Sequence, residues 1–376
     1  MSLEISTPSD ATSGDSDSLR FSVVIPTRNR PEWLKQVLSA ILEQDFNSFE
    51  AVVVDNSDPE NSSTAAAVTE FTSTKLRYVR TGGLTMAENW QAAVKAALGE
   101  YFIICSDKLI LVPNLLSSLD KIIMETGGRV MVWKIGGASD CASKASPQDP
   151  VRTIPGVWIW QGAVQGAWRV LHDAGARGMN SAIQRSIVAE VEDRLGVPFC
   201  RPCTPDYTIA ITLGALGYPT HFLDRVGATF LPNAHGTGLL ALMAPDDQTV
   251  RKQFSVPEVV GLPVRFATGI NLIYQDICLL NEVLPATERL PINWEMYFIQ
   301  LIHQAANADA MGGFGAARKE ELMSALRVQP FRFRMTLFKT VLIQETLNLI
   351  RGKWGVRFQI VHMARLLRYA FVQLFR

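Results

Sequence analysis

The chain has 376 residues, and 48% of them are hydrophobic, so it is long enough for one large domain and a second, smaller unit with a substantial core. Lys and Arg together number 36, as do Asp and Glu, and this balance argues against a general nucleic-acid binder. Residues 325–376 nevertheless contain ten basic residues and a single acid, Glu345. We therefore expect an anionic partner for this C-terminal segment and no nucleic-acid partner.

Residues 1–18 are polar and acidic and have no apolar stretch of the kind found in signal peptides. We expect them to form a disordered leader. No apolar run in the sequence approaches the length needed to cross a bilayer. These features favour a cytoplasmic location.

Short apolar strands alternate with amphipathic helices between residues 21 and 134. The strand sequences are FSVVIP, EAVVVD, KLRYVR, YFIIC and RVMVWK. Pro31 suits the first turn of one intervening helix, and Thr85 and Glu88 have the spacing of a capping box at the start of another. This alternation predicts an α/β fold with a doubly wound, mostly parallel sheet flanked by helices.

Polar side chains follow three of the predicted strands, at Thr27 to Arg30, Asp55 to Asp58 and Ser106 to Lys108. Ligands of doubly wound sheets bind beyond the carboxyl ends of the strands, so we expect these three segments to converge on one site. Neither G-x-G-x-x-G nor G-x-x-x-x-G-K-[ST] occurs, and the sequence therefore supports neither a dinucleotide-binding fold nor a P-loop.

The pattern weakens between residues 136 and 178, where GVWIWQGAVQGAW is compatible with a strand or with a mobile aromatic loop. Helices are predicted at SIVAEVEDRLG and at CTPDYTIAITLGALG, and a strand at THFLDRVGATF. A loop containing His235 follows. From about residue 257 the chain is predicted to be mainly helical.

Three segments carry a resemblance to a known family: FSVVIPTRNRPEWLKQVLSAILEQ, EAVVVDNSD and MAENWQAAVKAALGEYFIICSDK. Between about Arg20 and Pro113 the chain resembles the family 2 glycosyltransferases, which have the GT-A fold. A weaker similarity continues through TPDYTIAITLGALGYPTHFLDRVGATF. We therefore expect a GT-A domain at residues 19–256 and a helical C-terminal region with a basic amphipathic tail at residues 257–376.

The resemblance implies an inverting glycosyltransferase of the hexosyltransferase type, which moves a sugar from a nucleoside diphosphate, most often UDP, to an acceptor hydroxyl. It further implies that Pro26, Thr27 and Arg30 border the nucleotide and that Asp55 contacts the base. Asn89 would face the same pocket. Simpler roles remain open, since Asp55 is also suited to capping its own turn and Asn89 to bonding the backbone.

Asp206 stands where the family places its general base. A hydroxyl that attacks an anomeric carbon must lose its proton, which requires a carboxylate within hydrogen-bond reach. The helix dipole alone also favours an acid in a first helical turn, so the role of Asp206 has two interpretations. His235 is likewise either a contact of the diphosphate or acceptor, or a solvated loop residue.

The sequence SDK at residues 106–108 departs from the family pattern, in which two or three consecutive acids stand at Asp107, Lys108 and Leu109. Mg²⁺ is typically held by one or two carboxylates together with phosphate oxygens, so Asp107 alone would bind Mg²⁺ or Mn²⁺ weakly. One interpretation is that Lys108 contacts the diphosphate and makes the metal weak or dispensable. The other is that metal binding and catalysis have both been lost. The nucleotide-side residues and Asp206 favour activity.

The basic tail also has two interpretations. On a helix from Gly355 onward, Arg357, Arg365, Arg368 and Arg376 lie within an arc of about 100° beside a broad apolar face. Such a helix fits an anionic membrane surface, and the alternatives are packing on its own domain or a homodimer interface. We therefore expect a peripheral enzyme on the inner face of the membrane that uses a glycan or lipid-linked acceptor in bacterial surface polysaccharide assembly. A catalytically inactive nucleotide-sugar-binding or scaffold protein of the same pathway is the alternative.

Overall fold

The computed structural model describes residues 19–137, 150–231, 247–254, 258–310 and 315–350. The chain forms two compact units. The first unit comprises the residues up to 160, 168–201 and 205–234, and the second comprises 161–167, 202–204 and the residues from 235 onward. The leader at residues 1–18, His235 and the tail beyond residue 350 lie outside the described residues.

In the part of the first unit that is described, nine strands form one sheet. They are β1 (Phe21–Thr27), β2 (Phe49–Asp55), β3 (Leu76–Arg80), β4 (Tyr101–Ile104), β5 (Leu109–Leu111), β6 (Val130–Gly136), β7 (Val151–Ile154), β8 (Ser181–Gln184) and β9 (Thr220–Phe230). Their order is β3-β2-β1-β4-β8-β6-β9-β5, and β7 pairs with β9. The pairs within β3-β2-β1-β4 and the pair β6-β9 are parallel, whereas β5, β7 and β8 run antiparallel to their neighbours.

Helices accompany this sheet along the chain. They are α1 (Pro31–Leu42), α2 (Ser63–Thr69), α3 (Met86–Ala96), α4 (Leu115–Thr126), α5 (Gly156–Val164), α6 (Trp168–Ala174), α7 (Ser186–Leu195) and α8 (Pro205–Ala215). The C-terminal region is helical, as predicted, with α9 (Asp247–Phe254), α10 (Gly269–Val283), α11 (Trp294–Ala310), α12 (Ala316–Arg327) and α13 (Phe331–Ile350). No described helix is long and apolar enough to cross a membrane.

The α/β fold predicted from the alternating pattern is confirmed. All seven residues of β1 and all seven of β2 are buried, as expected for apolar strands covered on both faces. The capping box at the start of α3 is also present. The Thr85 hydroxyl accepts a 3.3 Å hydrogen bond from the N–H of Glu88, and the Glu88 carboxylate accepts a 2.8 Å bond from the N–H of Thr85.

The aromatic stretch after residue 155 is neither a strand nor a loop, contrary to both interpretations, because residues 156–164 form helix α5. Ile159, Trp160 and Ala163 are buried at helical spacing. Helix α8 approaches this face closely at Gly214, where an added Cβ would lie 2.9 Å from the Cβ of Ile159 and 3.0 Å from the backbone nitrogen of Trp160. Packing that depends on a distant glycine cannot be read from the local pattern.

Three short strands and two short helices were not predicted: β5, β7, β8, α2 and α6. Strand β8 lies between β4 and β6 and is antiparallel to both, so its existence depends on partners that are remote in sequence. Strand β5 starts directly after Lys108 and pairs with the end of β9, and the N–H of Leu231 donates a 2.9 Å bond to the carbonyl of Lys108. This pairing fixes the backbone of the SDK segment at the edge of the sheet.

Candidate active site

Asp107 lies in the turn between β4 and β5 and is only 2% exposed. Its Oδ2 accepts a 2.9 Å hydrogen bond from the hydroxyl of Thr27, and its Oδ1 accepts a 3.2 Å bond from Nη1 of Arg30. Pro26 is buried within β1, opposite Val54 of β2. Because β1 and β4 are parallel neighbours, their carboxyl ends meet, and the structure brings Thr27, Arg30 and Asp107 together as the topology predicts.

Lys108 lies beside this group and is 8% exposed. Burial, assisted by the positive charge of Arg30, lowers the pKa of Lys108, while Asp107 and Asp206 act in the opposite direction. The guanidinium of Arg30 also lies 5.3 Å from the ring centre of Trp33. Lys108 therefore lies in the electrostatic field of two of the predicted site acids, Asp107 and Asp206, on the first unit.

Asp206 is the second residue of α8 and is partly exposed. Burial raises the pKa of its carboxyl group, whereas Arg177, the N–H groups of Tyr207 and of Asp206 itself, and Lys108 act in the opposite direction. The helix terminus and the two cations thus favour the ionised carboxylate and oppose the effect of burial. A carboxylate with a raised pKa is suited to accept a proton near neutral pH.

Arg177 is a charged residue of this site that the sequence analysis missed. It is 8% exposed, and its guanidinium carbon lies 5.8 Å from the ring centre of Tyr207. The sequence around it, AGARGMN, has no helical or strand periodicity, so no local signal identifies it. With Arg177, the site holds three cations and two acids: Arg30, Lys108, Arg177, Asp107 and Asp206. This excess of positive charge suits an anionic ligand.

Asp55 is completely buried at the end of β2. Its Oδ1 accepts a 2.8 Å bond from the N–H of Ser57, and its Oδ2 accepts bonds of 2.7 Å from the hydroxyl of Tyr78 and 2.5 Å from Nη1 of Arg80. Nη2 of Arg80 donates to the carbonyl oxygens of Ser57 and Asp58, at 3.0 Å and 2.7 Å. This geometry assigns Asp55 to positioning the loop after β2, and its contact with a base remains a prediction.

A second link joins the loops after β1 and β2. Asn29 has a positive φ of 56°. Its N–H donates a 2.8 Å bond to Ser57 Oγ, and its Nδ2 donates a 2.7 Å bond to Asp58 Oδ2. Arg28 pairs with Asp58 at 2.9 Å, and the hydrogen bonds from Arg28 and Asn29 lower the pKa of Asp58. The two loops are therefore held together at the predicted nucleotide edge, although Asn29 had not been singled out.

Asn89 is buried on α3 and uses its amide within the protein. Its Oδ1 accepts a 2.8 Å bond from the hydroxyl of Thr81, and its Nδ2 donates a 3.3 Å bond to the carbonyl of Val54. These contacts support the end of β2, which is the simpler of the two roles considered for Asn89. A nucleotide contact by this residue stays a prediction, and His235 lies outside the described residues.

The donor set for a metal ion is sparse. Within the described ranges, no group of three or more His, Cys, Asp or Glu side chains could hold a metal. Asp107 offers a single carboxylate whose two oxygens already accept bonds from Thr27 and Arg30, and the next residue is a lysine. These residues do not fit a tightly held divalent cation, for which one or two free carboxylates and an uncompensated site would be expected.

The strand order and the candidate site at the carboxyl edge of the sheet are typical of the GT-A fold. Residues 22–188, slightly less than half of the chain, match the family model described as Glycosyl transferase family 2. This match identifies a glycosyltransferase family 2 domain within residues 22–188. No curated protein matches the chain.

Two solved structures are similar to the chain in fold. TarS 1-349 from S. aureus, in complex with UDP-GlcNAc, has a TM-score of 0.52 at 14% sequence identity, and the match covers 94% of this chain and 90% of that chain. The mannosyltransferase PcManGT from Pyrobaculum calidifontis, in complex with GDP-Man and Mn²⁺, has a TM-score of 0.47 at 15% identity and covers 98% of this chain and 90% of that chain. The first likeness supports the fold assignment, and the second adds nothing to it.

Proposed function

We propose that the chain is an inverting glycosyltransferase that transfers a hexose from a nucleoside diphosphate sugar, a UDP-sugar, to a hydroxyl of a glycan or lipid-linked acceptor. The observation that carries this proposal is the placement of Lys108 in the field of both Asp107 and Asp206 at the carboxyl edge of the sheet. A base for the acceptor and cations for the leaving group are thereby combined at one site.

The chemistry follows from these positions. Asp206 takes the proton of the acceptor hydroxyl as its oxygen attacks the anomeric carbon of the donor. A new carbon–oxygen bond forms while the bond from that carbon to the phosphate oxygen breaks on the opposite face, so the configuration inverts. The electron pair and the developing negative charge go to the departing nucleoside diphosphate, where Arg30 and Lys108 stabilise them. The proton on Asp206 is then released to water.

We further propose that a divalent metal is weak or dispensable in this reaction. Lys108 is 8% exposed, and a cation in such a poorly solvated position acts more strongly on a neighbouring phosphate than it would in water. Asp107 holds Arg30 by a hydrogen bond of 3.2 Å and thereby fixes a second cation beside Lys108. These two residues supply at the diphosphate the fixed positive charge that a metal would otherwise provide.

The setting we propose is bacterial surface polysaccharide assembly on the inner face of the membrane, where the enzyme is peripherally bound. This part rests on the sequence, because residues 325–376 carry ten basic residues and one acid. A basic amphipathic segment is suited to an anionic lipid surface. Most of this tail lies beyond the described residues, and a homodimer interface is the competing role for it.

Calorimetric titration tests the nucleotide part of the proposal. The purified protein is titrated with UDP, UDP-GlcNAc and GDP, first with EDTA and then with Mn²⁺ or Mg²⁺. UDP-GlcNAc is the first donor to try, because TarS, which shares the fold, was solved with it. We expect UDP to bind with EDTA present and UDP to be released from the sugar nucleotide. Absence of nucleotide binding under every condition would contradict the proposal, and binding without turnover would favour the scaffold.

A further inference from the structure

Arg177 is more enclosed than its charge would suggest. It is 8% exposed, its Nη2 donates a 3.3 Å bond to the carbonyl of His172, and its Nε is buried without a hydrogen-bond partner among the described residues. Enclosing a guanidinium in this way costs free energy unless a nearby negative charge compensates. The position of Arg177 therefore requires an explanation beyond packing.

The backbone turn that carries Arg177 is held firmly. The N–H of Arg177 donates a 2.8 Å bond to Oδ1 of Asn180, and Nδ2 of Asn180 donates to the carbonyls of Trp133 and Gly175, at 3.3 Å and 3.1 Å. Gly178 has a φ of +73°, which favours glycine, and an added Cβ would lie 3.1 Å from Ile104. The guanidinium is thus attached to a part of the fold with little freedom to move.

Arg177 points at the start of helix α8. Its guanidinium carbon lies 5.8 Å from the ring centre of Tyr207, the residue after Asp206, and the hydroxyl of Tyr207 lies 2.9 Å from Nε2 of His172. Among the described residues, the charged and titratable groups that face Asp206 are Arg177, Lys108 and Tyr207, with His172 behind Tyr207. Among the charges that favour the ionised carboxylate of Asp206, that of Arg177 has the largest effect, ahead of Lys108.

We propose that Arg177 is a positioning residue for Asp206: its fixed guanidinium, which lies over the ring of Tyr207, keeps the carboxylate of the preceding residue ionised and ready to accept the proton of the acceptor. The inference rests on the proposed role of Asp206 as the base. The charges of Arg30 and Asp107 act on Lys108 more strongly than that of Asp206 does, so Lys108 belongs to the leaving-group side and does not replace this function. Opposite charges at short range lower the pKa of a carboxyl group by about 1–3 units.

The test compares three variants with the full chain. Arg177→Met removes the charge at similar length, and Arg177→Lys keeps a charge. Arg185→Met is the control, because Arg185 is an exposed cation of the same unit whose Nε donates a 3.0 Å bond to the carbonyl of Gly99. The pKa of Asp206 is measured by NMR on protein labelled with ¹³C at aspartate carboxyls, with Asp206→Asn to assign the signal. The second readout is UDP release from UDP-GlcNAc, with water as acceptor, as a function of pH.

We expect Arg177→Met to raise the pKa of Asp206 by about one unit, the lower end of the range for a neighbouring charge, and to move the acid limb of kcat to higher pH. The KM for UDP-GlcNAc should stay within about twofold, Arg177→Lys should recover most of the shift, and Arg185→Met should show none. An unchanged pKa of Asp206 in folded Arg177→Met would overturn the inference. A raised KM with an unshifted acid limb would do so too, since Arg177 would then bind substrate.

Two further variants distinguish a failure of the role of Arg177 from a failure of the proposed function. If Arg177→Met does not fold, Arg177→Gln keeps a donor for the His172 carbonyl while removing the charge, and the same shift is expected. If Asp206→Asn retains the turnover of the unsubstituted chain, Asp206 is not the base and the proposed function fails at that residue, whatever the NMR titration shows. A lost turnover in Asp206→Asn together with an unshifted pKa in Arg177→Gln overturns only the role of Arg177.

Discussion

The hydroxyl of Thr27 donates a 2.9 Å hydrogen bond to Oδ2 of Asp107, although 80 residues separate the two positions. This bond joins the carboxyl ends of the neighbouring strands β1 and β4. Arg30 occupies the other oxygen of the same carboxylate, so Asp107 is an internal acceptor for two residues of the first loop. In a site with several acids, this carboxylate would hold a metal ion. In this protein it instead fixes the Arg30 cation beside Lys108.

Lys108→Ala should weaken UDP binding measured with EDTA present. Hydrogen bonds to charged groups contribute about 1.5–3 kcal/mol, so we expect the Kd to rise by about 10- to 100-fold. Calorimetry measures this change. Lys121→Ala is the control, because Lys121 is exposed on α4 and should leave the Kd unchanged. Equal affinities of the Lys108 variant and the unsubstituted protein would show that Lys108 does not contact the diphosphate.

Lys108→Asp should make nucleotide binding depend on metal. The substitution removes the cation and places a second carboxylate beside Asp107, which gives Mn²⁺ two protein ligands together with phosphate oxygens. We expect UDP binding to be lost with EDTA and recovered with Mn²⁺, again by calorimetry. The variant Lys108→Ala gains no metal ligand, so Mn²⁺ should restore much less of its UDP binding. Recovery to the same extent in both variants would argue that Asp107 alone binds the metal.

Asp206→Asn should abolish transfer while leaving the nucleotide site intact. General base catalysis contributes about 10²- to 10⁴-fold, so UDP release from UDP-GlcNAc should fall by at least about 100-fold. The Kd for UDP should change by less than about threefold, because the proposed role of Asp206 involves the acceptor and not the nucleotide. Asp193→Asn, on the exposed face of α7, is the matched control and should retain full activity. A comparable loss of UDP affinity would move Asp206 to the nucleotide side.

Stability should also depend on pH through Asp206. Burial raises the pKa of its carboxyl group, so the folded state binds this proton more tightly than the unfolded state does. The free energy of unfolding should therefore decrease as pH rises from the ordinary value of about 4 through the raised pKa. Asp206→Asn lacks this proton, and its stability relative to the unsubstituted protein should increase over that interval. Urea unfolding at several pH values measures the difference, and parallel curves would refute the raised pKa.

Asp55→Asn should destabilise the fold by about 2–3 kcal/mol, because it removes the charge that accepts bonds from Tyr78 and Arg80. The loss should be smaller than for a fully enclosed pair, since the Arg80 side chain is 32% exposed and reaches water. Urea unfolding gives the change. Asp224→Asn serves as the control, because its partners Lys134 and Arg152 are exposed. Its decrease in the free energy of unfolding should therefore be clearly smaller. Equal losses would mean that Asp55 does not anchor the loop.

Local patterns in the sequence were sufficient for the strands β1, β2 and β4, for helix α1 and for the capped start of α3. In each case the signal lies within a few residues: a continuous apolar run, a helical repeat, or Thr85 three positions before Glu88. The convergence of the strand ends also followed from the sequence, because parallel neighbours place their carboxyl ends at one edge. The order and spacing of these elements carry the resemblance to the family 2 glycosyltransferases.

The tertiary structure alone decided the features that depend on distant partners. Helix α5 packs where Gly214 leaves space, and Asp55 is enclosed because the parallel register places Arg80 opposite it on β3. Arg177 reaches the site only through a turn held by Asn180 and Trp133, and no repeat in its own segment records that contact. A one-dimensional pattern reports which face of an element is apolar. The pairing of buried charges is set by the three-dimensional approach of segments that lie far apart in the chain.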